Sequence, residues 1–381
     1  MAERASNMQR DVLVLNLEGM MAHITEELYG RSLRECDDAQ TYTVVMRTVK
    51  DLLAATERNF GEQIVYVVSA SFNTEPMLEY NLRNMQVYDR IGAVLKKNGK
   101  NLIDLFRLER STVYNDKGAS AFTRALMEMM AAQGMEGEGL ALFRPDALVD
   151  TKVIPGITEE GWEEPARIDL SMHIAGKDLH FVPMNIKIAG YMNGRTKIRL
   201  FDSKTVDTPR QLAAFMGLSE DDPELDGYFA AYRQYMLASG AAQIILYEMK
   251  RRLYDLRRLC DHAQIQVHDA FPALVIPELI RILVEEKAFT VDEAIEVARA
   301  SCIYTYYPDN GQGEVKLPLK YLTAICPDVA SIVRYLDRRV QENSSDAEEW
   351  IINGQGEIRM DALGRHCGTR VCSAAAMTGV Q

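Results

Sequence analysis

The chain has 381 residues, 47% hydrophobic and 26% charged, enough apolar sequence to bury a large core in one large α/β domain or two smaller ones. Asp and Glu outnumber Lys and Arg by 55 to 43, and the formal charge of −12 gives phosphate backbones no electropositive footprint, which argues against nucleic acid as a partner. No stretch approaches the ~20 apolar residues of a bilayer span, and MAERASNMQRDVLVLNLEGM lacks the apolar core and cleavage site of a secretory signal, so the expectation is no membrane and a cytoplasmic address.

From Thr25 to Arg58 apolar residues recur at helical spacing until Gly61 breaks the pattern. QIVYVVSASF follows, a nearly continuous β-branched run that reads as a buried parallel strand. Asn73 to Pro76 then form a strand-to-helix turn, and an amphipathic stretch carries Leu78, Leu82, Val87 and Ile91 to a stop at Asn98-Gly99. This is a βα unit of the doubly wound type. The Met-rich run from Leu126 reads as helix packing.

Between Pro145 and Ser203 the pattern alternates and is punctuated by Gly176, Gly190 and Asn193-Gly194, which predicts a small antiparallel β layer over approximately 145–205. An acidic turn, LSEDDPELDG, precedes a long helical pattern from Tyr228 to roughly His262 whose Arg and Lys residues solvate one face. Ile265 to Val267 make another short strand, a helix covers Pro277 to Glu286, and Thr290 to Glu293 have the form of a capping box for a helix through Ala300. A hairpin with Asn353-Gly354 as its turn is expected in WIINGQGEIRM, within a tail from 344 to 381.

Asp269 falls at the carboxyl end of the Ile265–Val267 strand, where open α/β sheets bind ligands, and a helix N-cap role accounts for it equally well. Cysteines 36, 260, 302, 326, 367 and 372 follow no disulfide-framework spacing and read as reduced, mostly buried thiols. A zinc site assembled from Cys260, His262, His366, Cys367 and Cys372 would match no ligand spacing, so no metal is expected.

YVVSASFNTEPMLEYNL, KIRLFDSK and IQVHDAFPALVIPEL, in order along the chain, resemble stretches of the α-glucan (glycogen and starch) phosphorylases. IQVHDAFPALVIPEL is similar to the family's NDTHPALAIPEL, YVVSASFNTEPMLEYNL to YYLSxEFxxGRxLxNxL, and KIRLFDSK to LRLWSAK. QYMLASGAAQIILYEMKRR and IRMDALGRHCGTRVCSAAAM resemble two further stretches, and all of the patches fall in the N-terminal half of the family. The resemblance implies a single phosphorylase-like domain over 1–381: α/β, with a Rossmann-like doubly wound, mostly parallel sheet, the N-terminal domain of a two-domain glycosyltransferase carrying a small antiparallel β insertion.

The pattern departs from the family where the resemblance would place chemistry. Phe271 stands for the family's active-site histidine, Thr378 for a sugar-contacting histidine, and Asn115, Asp116, Lys117, Gly118, Ala119, Ser120 and Ala121 for a glycine-rich phosphate loop, retaining one glycine. The loop reads either as a solvated turn or as a degraded anion site. The substrate-cleft candidates are therefore His268, Asp269, Arg199, Lys204 and Thr378, with Asp269 the one candidate for catalysis; exposed strand-end charge explains Arg199 and Lys204 equally well. The lysine that binds pyridoxal phosphate in the family has no match here, so that cofactor is expected only if a partner chain brings it.

Three functional readings follow from the resemblance. The first is a non-catalytic phosphorylase-like domain of α-1,4-glucan metabolism that binds a glucan, a sugar phosphate or a protein partner. The second is one subunit of a split phosphorylase giving glucose 1-phosphate with a cofactor-bearing chain. The third is a homodimeric scaffold.

Overall fold

The computed structural model of the chain describes residues 16–55, 63–70, 72, 77–109, 112–113, 119–143, 152–153, 162, 164–190, 195–306 and 314–373. In chain order its strands are β1 (Ile64–Val68), β2 (Thr112–Val113), β3 (Gly137–Leu142), β4 (Lys152–Val153), β5 (Glu164–Pro165), β6 (Leu170–Ile174) and β7 (Lys177–Phe181). There follow β8 (Met184–Ala189), β9 (Arg195–Phe201), β10 (Ala263–His268), β11 (Cys302–Tyr306), β12 (Lys316–Pro318), β13 (Glu357–Arg359) and β14 (Arg370–Ser373).

The largest sheet has the order β14-β11-β10-β1-β3-β9-β8-β5. The six strands from β14 to β9 are parallel, and β8 and β5 complete one edge antiparallel. From β1 the chain builds outward through β3 to β9, then returns to the other side of β1 and builds outward again through β10, β11 and β14. The strand order therefore reverses between β1 and β10.

β1 shows why this sheet is buried on both faces. Ile64, Tyr66 and Val68 face one core cluster and Val65 and Val67 the other, so a continuous apolar run satisfies both layers. Helices Leu17–Tyr29, Asp38–Ala55, Leu78–Asn84, Tyr88–Lys97 and Ala119–Ala132 supply buried residues to the second cluster. The first is filled by helix Leu225–Arg251 together with helices Val275–Lys287, Val291–Ser301, Pro327–Asn343 and Met360–Cys367.

Local chemistry sets the element ends. The single helix expected from Thr25 to Arg58 is two, because the chain turns at Gly30 (φ +59°) and passes through a 3-10 turn at Leu33–Glu35. The amphipathic stretch after β1 likewise breaks at Gln86 (φ +58°) into Leu78–Asn84 and Tyr88–Lys97, then stops at Asn98-Gly99 as read from sequence. The long helix ends at Arg251, earlier than expected, at a left-handed Leu253. The Thr290–Glu293 capping box forms, and a second, Thr208 with Gln211, opens the unpredicted helix Pro209–Met216.

In the stretch read as an antiparallel layer, β6 and β7 form a hairpin turned by Ala175 and Gly176, both at positive φ. β9, however, lies parallel to β3 in the large sheet, so β8 and β9 extend that sheet rather than stand apart from it. The second expected hairpin closes over the longer turn Asn353 to Gly356. The left-handed residue there is Gly356 (φ +76°), not Gly354, and β13 pairs with β12.

Candidate functional site

In an open α/β sheet the crevice lies at the carboxyl ends of the strands where the order reverses. Here those ends are Val68 to Phe72 on β1 and His268 to Phe271 after β10. Asp269 leaves β10 with φ +70°, a left-handed conformation that Asp tolerates better than most side chains. Its N–H donates to the Thr305 carbonyl at 2.8 Å, continuing the β10–β11 ladder. Its Oδ1 accepts from the Ala270 N–H at 2.8 Å, tying the carboxylate to the turn that starts the 3-10 helix Phe271–Leu274.

His268 is buried, with Nε2 3.2 Å from Gln266 Oε1 and its ring stacked on Phe122 at a centroid distance of 6.0 Å. Burial lowers its pKa to about 4, so the imidazole is neutral at physiological pH. Phe271 is also buried. On the β1 side Phe72 is buried and lies against Gly139 of β3, where an added Cβ would stand 2.8 Å from the ring. At this end of the sheet the His268 imidazole is thus covered by the Phe122 ring.

Behind β11, the Tyr304 hydroxyl donates to Asp361 Oδ1 at 2.8 Å, and burial together with that carboxylate raises the phenol's pKa. The first helix after β1 offers another polar centre. In doubly wound folds the amides at this point receive phosphate. In this chain the buried Glu109 carboxylate takes them, accepting from Met77 N at 2.6 Å, Leu78 N at 3.0 Å and Trp162 Nε1 at 2.6 Å. Burial is the largest influence on Glu109 and raises its pKa despite these bonds. Trp162 is thus buried and a hydrogen-bond donor as well.

Arg199 is buried rather than presented at a strand end. Its Nε donates to Glu138 Oε2 at 2.9 Å and its Nη2 to Glu248 Oε1 at 3.0 Å. Lys197 reaches Glu138 at 2.7 Å and Arg251 reaches Glu248 at 2.7 Å, completing a chain of charges beneath the end of the long helix. Although burial alone would raise it, these cations bring Glu138 down to about 2. Lys204 is exposed. The structure therefore brings His268 and Asp269 together and leaves Arg199 within its own ion network.

Asn115, Asp116, Gly118 and Thr378 lie outside the described residues. Ser120 falls in the first turn of helix Ala119–Ala132, its side chain outside them as well. Among the described residues no group of three or more His, Cys, Asp or Glu side chains could hold a metal, and Cys36, Cys260, Cys302, Cys326 and Cys367 are free thiols. The partly buried Lys187 and Lys197 are paired with Glu164 and Glu138.

Sequence reading did not single out Phe122, Tyr304 or Asp361. Phe122 carries no local signal, since its contact with His268 depends on a helix laid across the strand ends.

A mostly parallel α/β sheet with its crevice at the β1/β10 boundary is consistent with a phosphorylase-type α/β protein, the class to which comparison with known proteins points. Residues 220–379 match the carbohydrate phosphorylase family model. It is similar to maltodextrin phosphorylase of Streptococcus pneumoniae, 28% identical over 94% of this chain and 50% of the relative. It is also similar to glycogen phosphorylase of Bacillus subtilis, 23% identical over 81% of this chain and 45% of the relative. The brain form of human glycogen phosphorylase is 21% identical over 78% of this chain and 42% of its own length. The chain spans about half the length of the curated relatives it matches.

Proposed function

We propose that this chain is a phosphorylase-like protein of α-1,4-glucan metabolism that binds a glucan or a partner protein and does not carry out phosphorolysis by itself. We read its parallel sheet as the Rossmann-like doubly wound half of a two-domain glycosyltransferase. The observation that carries the functional reading is the state of the β10 end: a neutral, buried His268 stacked on Phe122, an Asp269 carboxylate turned onto the Ala270 amide, and Phe271 beside it. General acid–base work needs a titratable group with a pKa near the working pH, and burial takes the His268 imidazole well below it. The Met77 and Leu78 amides, held by Glu109, support the same reading. Free thiols suit a reducing, cytoplasmic setting.

The test pairs activity with binding. The isolated chain, given glycogen, phosphate and pyridoxal phosphate, is expected to release no glucose 1-phosphate, while its migration through a native gel slows when glycogen is cast into it. Turnover that disappears in Asp269→Asn would overturn the proposal. Turnover that requires a second, cofactor-bearing chain would replace it with a two-chain phosphorylase.

A further inference from the structure

Helices Val275–Lys287, Val291–Ser301, Pro327–Asn343 and Met360–Cys367 enclose a cleft of about 410 Å³ to which the proposed function gives no role. Its volume falls within the ~300–1,000 Å³ of small-molecule sites. Its open apolar lining is Ile295 and Val340, over a floor of buried Ile276, Ile280 and Leu336. Such a surface favours a hydrocarbon or aromatic body at ~25 cal/mol per Å² removed from water.

The polar lining sets the other end of the ligand. Arg339 is neutralised by Asp292, its Nη1 lying 2.8 Å from Oδ1. Arg299 lines the cleft beside the buried Cys367 thiol, and among the described residues no carboxylate pairs with it. The His366 imidazole lines the same cleft. Glu296 and Glu349 also line the cleft and are exposed, and their carboxylates disfavour a multiply charged anion.

We propose that this cleft is a second binding site, independent of the β1/β10 crevice, for a small amphipathic monoanion whose apolar body lies on Ile295 and Val340 and whose acidic group meets Arg299 and His366. The ligand class is an aromatic or aliphatic carboxylate or sulfonate rather than a sugar, because hydroxyl groups would be left unpaired over these apolar side chains.

Anilinonaphthalene sulfonate has this chemistry and reports its own binding by fluorescence. One of the chain's two tryptophans, Trp350, stands at the cleft, its Nε1 donating to the carbonyl of the lining residue Ser344 at 3.2 Å. The native chain is expected to bind one probe saturably, with emission excited through Trp350 and lost in Trp350→Phe. Arg299→Ala, a change at an exposed side chain, is expected to weaken binding about tenfold or more. Ile295→Trp, which fills the cleft, is expected to abolish it, and the thermal midpoint of each variant reports whether the fold is retained. Absence of saturable binding, or an affinity unchanged in both Arg299→Ala and Ile295→Trp, would overturn the proposal.

Discussion

His268 shows how one buried side chain sets a pH dependence. Its imidazole protonates near 6.5 when exposed and near 4 in the fold, with burial as the cause. Across that interval the unfolded chain binds the extra proton, so stability falls as pH drops from 6.5 to 4, by up to about 3 kcal/mol, and the effect is absent above 6.5, where both states are neutral. Urea titrations at intervals over this range should show the fall in the native chain and a flatter profile in His268→Gln. Glu109 makes a different demand, because removing its carboxylate strands the Met77, Leu78 and Trp162 N–H groups in the interior. Glu109→Ala is expected to cost about 3 kcal/mol, read as a lower urea midpoint at unchanged slope.

Among elements, the regular pieces were legible in the sequence and the joints less so. β1 and β10 announced themselves as short β-branched runs, and Thr290 with Glu293 as a capping box, because each signal is local. The breaks at Gly30 and Gln86 were hidden, since the apolar period continues across them. At the candidate site the same division holds: Asp269 could be placed at a strand end from its neighbours, whereas the burial of Arg199 between Glu138 and Glu248 depends on a helix dozens of residues away. The join between helix Met360–Cys367 and β11 is of this second kind. Gly364 lets the helix rest on the Tyr304 ring, and a Cβ there would approach the ring to 2.5 Å. Gly364→Ala is expected to destabilise by about 1–3 kcal/mol and, by shifting the helix, to weaken the Tyr304–Asp361 hydrogen bond, visible as a change in tyrosine near-ultraviolet circular dichroism.

At the scale of the molecule, the sheet order places the β1/β10 boundary at its centre, with β3 and β9 on one side and β11 and β14 on the other. The relatives supply the glucan chemistry of the proposed function, and the packing at that boundary supplies the reason to separate binding from turnover. The arrangement also carries a kinetic consequence. The seam between β1 and β10 joins strands so distant in the chain that the contact at its foot, Gln63 to Cys260, spans 197 residues. Each flank is assembled from strands nearer in sequence, whereas the seam must close a very long loop before its hydrogen bonds return any free energy. In pulse-labelled hydrogen exchange during refolding, the β3–β9 and β10–β11 amides should gain protection first and those of β1 facing β10 last. The crevice would then be the last part of the protein to come into existence, formed only when two independently structured halves meet.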